Sequence, residues 1–534
     1  MTPGLRDFVL AGDDGLAPVL AALSQAFTAT AERGAPGSGA HHRTWLDTFD
    51  WRLCRAGLML QFEQARRGGR LLLSQADGTP QAEQPVTGWP PRRPSLASDL
   101  PAGPLRDRIS VLTSPRALLP IVKAASTVSV TRLLNADGKT VARLVAEHLT
   151  VTAAGTAAGT AAAVGTTAEL PLRLAVAEVR GYPAQARKAA GLLPGVPGVS
   201  HASQSVFTAA LTALGRHPPD SGVEAGITAT MPASVAVARL LLRLLDTLEL
   251  NVDGVLRDID TEFLHDLRVA VRRTRSAIKL LGEVLPADLA EHDKTEFKWL
   301  GDLTTPTRDL DVHLLGFGPM TGQLIAATPA DLEPLRAFLV RRRACEFRRL
   351  AAALRGPRFR AITDDWRKAL LEIRDAPARC RREPAAAGLA LRTTRHAFRR
   401  IVAHGGAITQ DSAPESLHDL RKRAKELRYL LEFFAPLHDP VAYRKVVGDL
   451  KSLQDCLGDF QDSQVQREEI HTLADAILAE RAAPAATLLA MGEIAAKLTL
   501  RQTGARADFA RRFARFAGPA GQERVRTLLQ AGQP

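Results

Sequence analysis

Apolar residues along this chain follow two rhythms, and the change between them falls near residue 230. Before it, short apolar runs alternate with turn residues. "GLMLQFEQARRGGRLLLSQADG" (57–78) sets two such runs around Arg66-Arg67-Gly68-Gly69, which predicts a β-hairpin. "STVSVTRLLNADGKTVARLVAEHLTVT" (126–152) repeats the form with Asp137-Gly138 at the turn. "AELPLRLAVAEVRG" (168–181) reads as a further strand, and the low-complexity "AGTAAGTAAAVGTTA" (154–168) as a flexible hairpin tip. The stretch 80–104, rich in Pro and polar residues, reads as loop. Successive hairpins predict an antiparallel barrel or curved sheet. Past residue 230 the period changes. Val237, Leu240, Leu241, Leu244, Leu245 and Leu248 recur at three- and four-residue spacing, and long helices continue to about 517. The expected fold class is therefore multidomain α+β. A β-rich domain covers 1–215, a Pro/Gly-rich linker 216–232, and an all-α domain 233–517.

The helical part contains a repeat. "LHDLRVAVRRTRSAIKLL" (264–281) returns as "LHDLRKRAKELRYLLEFF" (417–434), and "RDLDV" (308–312) returns as "QDSQV" (461–465). Both pairs lie 153 residues apart, and His-to-Asp is 44 residues in each copy (His265 to Asp309, His418 to Asp462). Two landmarks at one offset indicate an internal duplication. "RREPAAAG" (381–388) falls where the copies should join. Repeat one then spans about 233–383 and repeat two about 388–517, each with about four helices, which predicts two similar four-helix bundles packed together.

Composition narrows the partners. The chain has 534 residues, 46% of them apolar, and a net charge of +13, which favours a polyanionic partner without identifying it. Cysteines stand at 54, 345, 380 and 456 without CxxC spacing, so neither a zinc site nor a disulfide framework is expected. A reducing cytoplasm fits that usage. No signal peptide and no apolar run long enough to span a membrane is read.

Charge is placed as well as abundant. Counting from His418, Arg421, Lys425 and Arg428 follow at +3, +7 and +10. His265, Arg268, Arg272 and Arg275 occupy the same offsets in the first copy. At ~100° per residue the four fall within an arc of about 80°, making two basic stripes roughly 15 Å long. Such a stripe suits an extended ligand with evenly spaced anionic groups, because guanidinium offers a planar fork to phosphate oxygens and ammonium a point charge. The bland alternative is a solvated helix face, and Leu267 and Leu420 recur as ordinary core. A second block, 336–400, holds 19 Lys/Arg against 6 Asp/Glu. Within it Arg341, Arg348 and Arg355 are seven apart and would share a face. They either extend an anion groove or belong to a solvated Arg-rich helix. Asp266 and Asp419 follow the histidines, but no further His stands at i+3 or i+4, so no metal site is expected. Asp309, Asp311 and Asp462 serve equally well as caps or ion-pair partners.

At these residues the chain resembles the CHAD family, the conserved histidine α-helical domain. "LHDLRVAVRRTR" and "LHDLRKRAKELRY" match the family's first element, and "RDLDV" and "LQDCLGDFQD" its second, although the first copy reads "LTTPT" where leucine-glycine would stand. The resemblance covers about 230–517. It implies two pseudo-symmetric four-helix bundles with basic stripes facing a shared groove, and binding of inorganic polyphosphate, often at polyphosphate granules. The family's basic positions carry over to His265, Arg268, Arg272, Arg275, His418, Arg421, Lys425 and Arg428.

The N-terminal part resembles the CYTH fold of triphosphatases and class IV adenylyl cyclases. "WLDTFDWRLCRAGLMLQ" (45–61) looks like that family's YYDTxDxxLxxxGxxLR segment, and "LAVAEVRGYPAQARKAAGLL" (174–193) its late strand and helix. The resemblance implies a tunnel of eight strands with an ExExK motif whose glutamates bind metal. Here "LRDFVLAG" (5–12) has no ExExK, Gln61 and Glu63 stand where the family has arginines, and "AEVRG" lacks paired glutamates. Metal-assisted phosphoryl chemistry needs those carboxylates. Arg132 and Arg143 could still contact an anion. The expectation is a degenerate fold without catalysis, and no cofactor. Non-enzymatic binding of inorganic polyphosphate is thus the leading reading. A metal-dependent tripolyphosphatase or adenylyl cyclase is one alternative and a nucleic-acid-binding protein another. The last is disfavoured by the lack of a recognition signature and by aromatic residues at only 5%.

Overall fold

In the computed structural model the alternating region folds into one antiparallel sheet and the three-and-four region into helices. The structure describes residues 5–12, 15–32, 34, 39–65, 68–87, 94–155, 164–218, 226–376 and 383–531. It divides into two compact units, 1–221 and 222–534.

Among its described residues the first unit holds eleven strands, β1 (Leu5–Leu10), β2 (Thr28–Ala31), β3 (Gly39–Asp47), β4 (Leu58–Ala65), β5 (Gly68–Gln75), β6 (Pro80–Val86), β7 (Ser95–Leu96), β8 (Ala117–Leu134), β9 (Thr140–Ala153), β10 (Thr167–Glu178) and β11 (Val199–His201). They are joined by helices α1 (Ala17–Ser24), α2 (Arg52–Arg55), α3 (Pro104–Thr113), α4 (Pro183–Leu192) and α5 (Val206–Ala213). The sheet runs β11-β1-β10-β9-β8-β3-β4-β5-β6, with β2 and β7 also paired to β8. Both expected hairpins are present. β4 pairs with β5 from Leu58↔Gln75 to Ala65↔Gly68, and β8 pairs with β9 around Gly138, whose φ of 74° suits a tight turn. The turn residues Arg66 and Arg67, and 156–163 of the expected hairpin tip, lie outside the described residues.

One expectation needs correction. The stretch 80–104 is not loop throughout, since β6 occupies 80–86 and β7 95–96. Pro80 and Pro85 masked β6. They are tolerated because β6 is the last strand of the path and pairs on one side only. Of the two expected forms, barrel or curved sheet, the described residues form the open one, with the path not closed between β6 and β11.

Among its described residues the second unit holds ten α-helices: α6 (Ala233–Leu256), α7 (Thr261–Leu281), α8 (Ala287–Thr321), α9 (Glu333–Leu354), α10 (Pro357–Asp375), α11 (Ala386–Gly406), α12 (Pro414–Phe433), α13 (Pro440–Ala479), α14 (Ala485–Ala517) and α15 (Pro519–Ala531). Helices α6, α7 and α8 start at 233, 261 and 287, and α11, α12 and α13 at 386, 414 and 440, which is 153 residues later each time. Each half carries a helix beyond the expected four, and α15 extends the helical region past 517.

Contacts between the halves obey a twofold axis. Ala233 N–H donates to Pro384 O (3.0 Å) and Ala386 N–H to Met231 O (2.7 Å), so each bond is the other shifted by 153 residues. Across α7 and α12, Arg273 pairs with Glu432 and Lys279 with Glu426. Positions 273 and 426 are equivalent, as are 279 and 432. One contact is again the mate of the other, as a twofold interface requires. A shared apolar core fastens the far side, where Leu310 and Phe317 of α8 and Leu335, Phe338 and Leu339 of α9 meet Ile470, Leu473 and Ile477 of α13 and Met491 and Ile494 of α14. Among the described residues no helix is long and apolar enough to cross a membrane.

Candidate functional site

Helices α7 and α12 each bury one apolar face. Phe263, Leu264, Leu267, Ala270, Val271, Thr274, Ala277, Ile278 and Leu281 do so on α7, and Leu417, Leu420, Ala424, Leu427, Leu430 and Leu431 on α12. Burial of those faces fixes the rotation of each helix and turns its basic flank toward the partner helix. Asp260 caps α7, accepting from the N–H groups of Glu262 (2.9 Å) and Phe263 (3.3 Å). Gly254 on α6 lets the two helices approach, because a Cβ there would lie 2.0 Å from the Phe263 ring.

Between α7, α12 and α13 lies a groove of about 580 Å³. Arg272 and Arg273 enter it from α7, and Arg421, Lys425 and Arg428 from α12. Asp455, Asp459 and Asp462 enter from α13. Four of the eight residues expected in a shared groove therefore line it: Arg272, Arg421, Lys425 and Arg428. The other four do not. Arg268 is turned onto α8, where it donates to Gly301 O (3.3 Å) and to the hydroxyls of Thr304 (3.1 Å) and Thr305 (2.7 Å). Arg275 lies across Gly301, where a Cβ would meet its Nη1 at 2.8 Å. His418 Nδ1 is 2.8 Å from Gln461 Oε1, which fixes the ring at the stripe's end, and His265 also stands outside the lining. Arg273 was missed because it lies off the stripe. Asp455, Asp459 and Asp462 were legible as an i, i+4, i+7 row of carboxylates.

The charges in this groove are not equivalent. Arg421 pairs with Asp462 at 2.9 Å, and Arg428 with Glu432 at 2.7 Å. Arg273 shares that Glu432 carboxylate. Among the described residues neither Arg272 nor Lys425 has a hydrogen-bond or ion-pair partner. They are the same position in the two repeats, and they repel one another. Burial, and then the charges of Arg421 and Arg272, lower the Lys425 ammonium from 10.5 to about 8, with Asp462 acting the other way. Burial also lowers Arg268 from its ordinary value, with Asp309 opposing.

Several arginines of the block 336–400 are tied into the fold. Arg343 forks onto Asp258 (2.7 and 2.8 Å) and reaches the fully buried Asp311 of "RDLDV" at 2.5 Å, tying α8 and α9 to the α6–α7 turn. Arg358 pairs with Glu296 and stacks 4.2 Å over Trp299, and Arg367 pairs with Asp246 and Glu249. Arg341, Arg348 and Arg355 are exposed on α9 and at its C-terminal end, and none of them lines the groove. Among the described residues, no group of three or more His, Cys, Asp or Glu could hold a metal.

In the sheet unit several cations are met by carboxylates. Arg43 pairs with Glu147, Arg70 with Glu63 (2.6 Å) and Glu83 (3.1 Å), and Arg143 with Glu32 (2.8 Å). Arg132 faces Arg143 across β8 and β9. The Arg143 hydrogen bond holds the Glu32 carboxyl below its ordinary value. Asp47, buried at the end of β3, accepts from the N–H groups of Thr48 (2.7 Å), Leu53 (2.9 Å) and Cys54 (2.8 Å), so the "DTFDW" turn organises backbone.

Comparison with known proteins locates the helical part. Residues 239–471 match the CHAD domain family, a span that includes both histidine-bearing helices. An uncharacterized protein of Mycobacterium tuberculosis is 29% identical over 235 residues, covering 43% of this chain and 44% of that protein. The chain thus matches under half the length of that curated relative. The solved CHAD domain of the plant Ricinus communis is 25% identical, with 55% of this chain and 97% of that domain covered and a TM-score of 0.46. A Bacillus halodurans protein solved as a candidate adenylate cyclase is 13% identical, with 38% and 93% covered and a TM-score of 0.25.

Proposed function

We propose that this chain, whose residues 239–471 match the CHAD domain family, is a non-enzymatic binder of inorganic polyphosphate. The polyanion lies in the groove between α7, α12 and α13. One observation carries the reading. Arg272 and Lys425, equivalent positions of a duplicated stripe, face the same groove unpaired and in mutual repulsion. An anion between them removes that repulsion and gains two charge-assisted contacts. Arg421 and Arg428 flank them and extend the line of donors. Many modest contacts along one flexible chain combine through effective concentration, so binding is tight for long polyphosphate and steeply salt-dependent. The reading implies a cytoplasmic protein at polyphosphate granules, with the sheet unit as scaffold or partner surface.

The test is calorimetry of the full chain with long-chain polyphosphate at two salt concentrations, with DNA as competitor and phosphate release from tripolyphosphate followed with magnesium or manganese. The expected result is salt-sensitive binding that DNA does not displace, and no phosphate release. Absence of polyphosphate binding would overturn the reading, and metal-dependent release would make the sheet unit an enzyme.

Two outcomes follow from the groove's electrostatics. A bound anion restores the charged form of Lys425, so binding takes up a proton wherever the free ammonium is already dissociating. Well below pH 8 the group is charged in both states and uptake vanishes. At about pH 9 calorimetry in two buffers of different ionisation enthalpy should show uptake approaching one proton, and affinity should decline over the same range. Lys425→Arg, charged throughout, should abolish both effects. Second, Asp462 competes with the ligand for Arg421. Asp462→Asn should tighten polyphosphate binding by about threefold, near 0.7 kcal/mol, as expected for a half-exposed ion pair. Weaker binding in that variant would mean that Asp462 positions Arg421 instead of competing for it.

A further inference from the structure

A second basic hollow, of about 920 Å³, lies where the early part of α13 meets the α14–α15 corner. Arg444, Lys445, Arg515 and Arg524 line it, with Asp449 as the single carboxylate. Asp449 is nearly buried. Its Oδ1 accepts from Arg515 Nε (3.0 Å) and its Oδ2 faces Arg524 (2.7 Å), so one carboxylate anchors two guanidiniums. Arg524 also donates to Arg515 O at 3.2 Å. The corner is built tightly. A Cβ on Gly518 would lie 2.4 Å from Ala514 O, and one on Gly521 1.9 Å from Phe516 O. Among the described residues Arg444 and Lys445 have no hydrogen-bond or ion-pair partner. The hollow therefore presents two fixed and two free cations against one carboxylate.

The equivalent positions in the first repeat show that this is not a shared feature of the fold. Arg444, Lys445 and Asp449 correspond at 153 residues to Glu291, His292 and Glu296. Glu291 pairs there with Lys294, and Glu296 with Arg358. Position 291/444 is thus acidic and ion-paired in the first repeat and basic, with no ion-pair partner among the described residues, in the second, whereas 296/449 is an arginine-paired carboxylate in both. We propose that Arg444, Lys445, Arg515 and Arg524 form a second oxyanion pocket, suited to phosphate-type groups and confined to the second repeat. Pre-positioned guanidinium forks match the planar oxygen edges of phosphate, and the exposed Lys445 supplies a point charge. Gly448 in this pocket and Asp455 in the central groove are seven residues apart on one face of α13, about 10 Å along the helix. The phosphate groups come from one of two sources, a separate short phosphate or the onward run of a chain held in the central groove. The second source rests on the function proposed above.

The experiment uses the full chain, with inorganic tripolyphosphate and long-chain polyphosphate as probes. Arg444→Gln/Lys445→Gln is compared with Arg272→Gln/Lys425→Gln, with all four changes together, and with Arg395→Gln/Arg399→Gln, which removes two exposed charges from α11. A separate short-phosphate site is shown by tripolyphosphate binding that survives Arg272→Gln/Lys425→Gln and falls about tenfold when Arg444 and Lys445 are added. An onward run is shown by long-chain affinity that falls about tenfold in Arg444→Gln/Lys445→Gln beyond the α11 control, with tripolyphosphate unchanged. The proposal is overturned if Arg444→Gln/Lys445→Gln matches the α11 control with both probes, or if wild type binds neither. Should only the Arg444 and Lys445 changes weaken binding, the pocket stands and the central-groove reading falls. Both side chains are exposed and unpaired, so unchanged melting is expected and excludes unfolding as the cause.

Discussion

Replacing Arg272 and Lys425 together by glutamine lowers the affinity for long-chain polyphosphate about a hundredfold, near 2.7 kcal/mol. Each cation supplies a charge-assisted contact worth about 1.5–3 kcal/mol, and water and salt reduce the sum. Among the described residues neither side chain has a hydrogen-bond or ion-pair partner, so nothing is left unsatisfied when it goes. Loss of their repulsion should leave the melting temperature unchanged or slightly higher. That separation of binding from stability is what makes the pair informative. Arg268→Gln would not give it, since Arg268 ties α7 to Gly301, Thr304 and Thr305 of α8, and its loss strands partly buried acceptors. The slope of affinity against salt should also flatten, by up to about two phosphate contacts' worth. Unchanged affinity and unchanged slope in the double variant would remove the groove from the function.

The second large effect concerns the axis itself. Glu426→Lys/Glu432→Lys should destabilise the helical unit by about 2–3 kcal/mol. It turns Lys279–Glu426 and Arg273–Glu432 into like-charge contacts and also removes the Arg428–Glu432 pair. Adding Arg273→Glu/Lys279→Glu restores opposite charges and should return most of the loss, and high salt should narrow the gap. Thermal unfolding of the three proteins at low and high salt measures both. If the quadruple variant melts no higher than the double, these pairs do not hold the two halves in register. The design has a clear origin in symmetry. In an unfused dimer of identical chains, positions 273 and 279 would carry the same residues on both sides and meet their own sign. Duplication within one chain lets the first copy keep Arg273 and Lys279 while the second carries Glu426 and Glu432 at the equivalent positions.

Much of this was legible in the residues. The change of apolar period gave the sheet and the helices, because burial of one face imposes a period of two on strands and 3.6 on helices. The 153-residue offset is the spacing of the actual helix starts, since a duplicated segment brings its caps and apolar stripe with it. Strand β6 escaped because its prolines are acceptable only at an edge, and edge position is a property of the assembled sheet.

What the stripe could not reveal is which of its members reach a ligand. Arg268 and Arg421 are equivalent by sequence, yet they point to different places. The reason lies on the neighbouring helix. Gly301, Thr304 and Thr305 of α8 give Arg268 three oxygens to hold, whereas the equivalent Gln454, Leu457 and Gly458 of α13 offer no such set. Arg421 therefore turns into the groove toward Asp462. The sequence by itself determined the duplication, the helix faces and the sign of their charge, because those depend on neighbours three or four residues away. Only the tertiary structure decided which cations are consumed by ion pairs and which stand free, because their counter-charges lie on other helices, and hydrogen-bonded packing against those helices sets where each side chain ends.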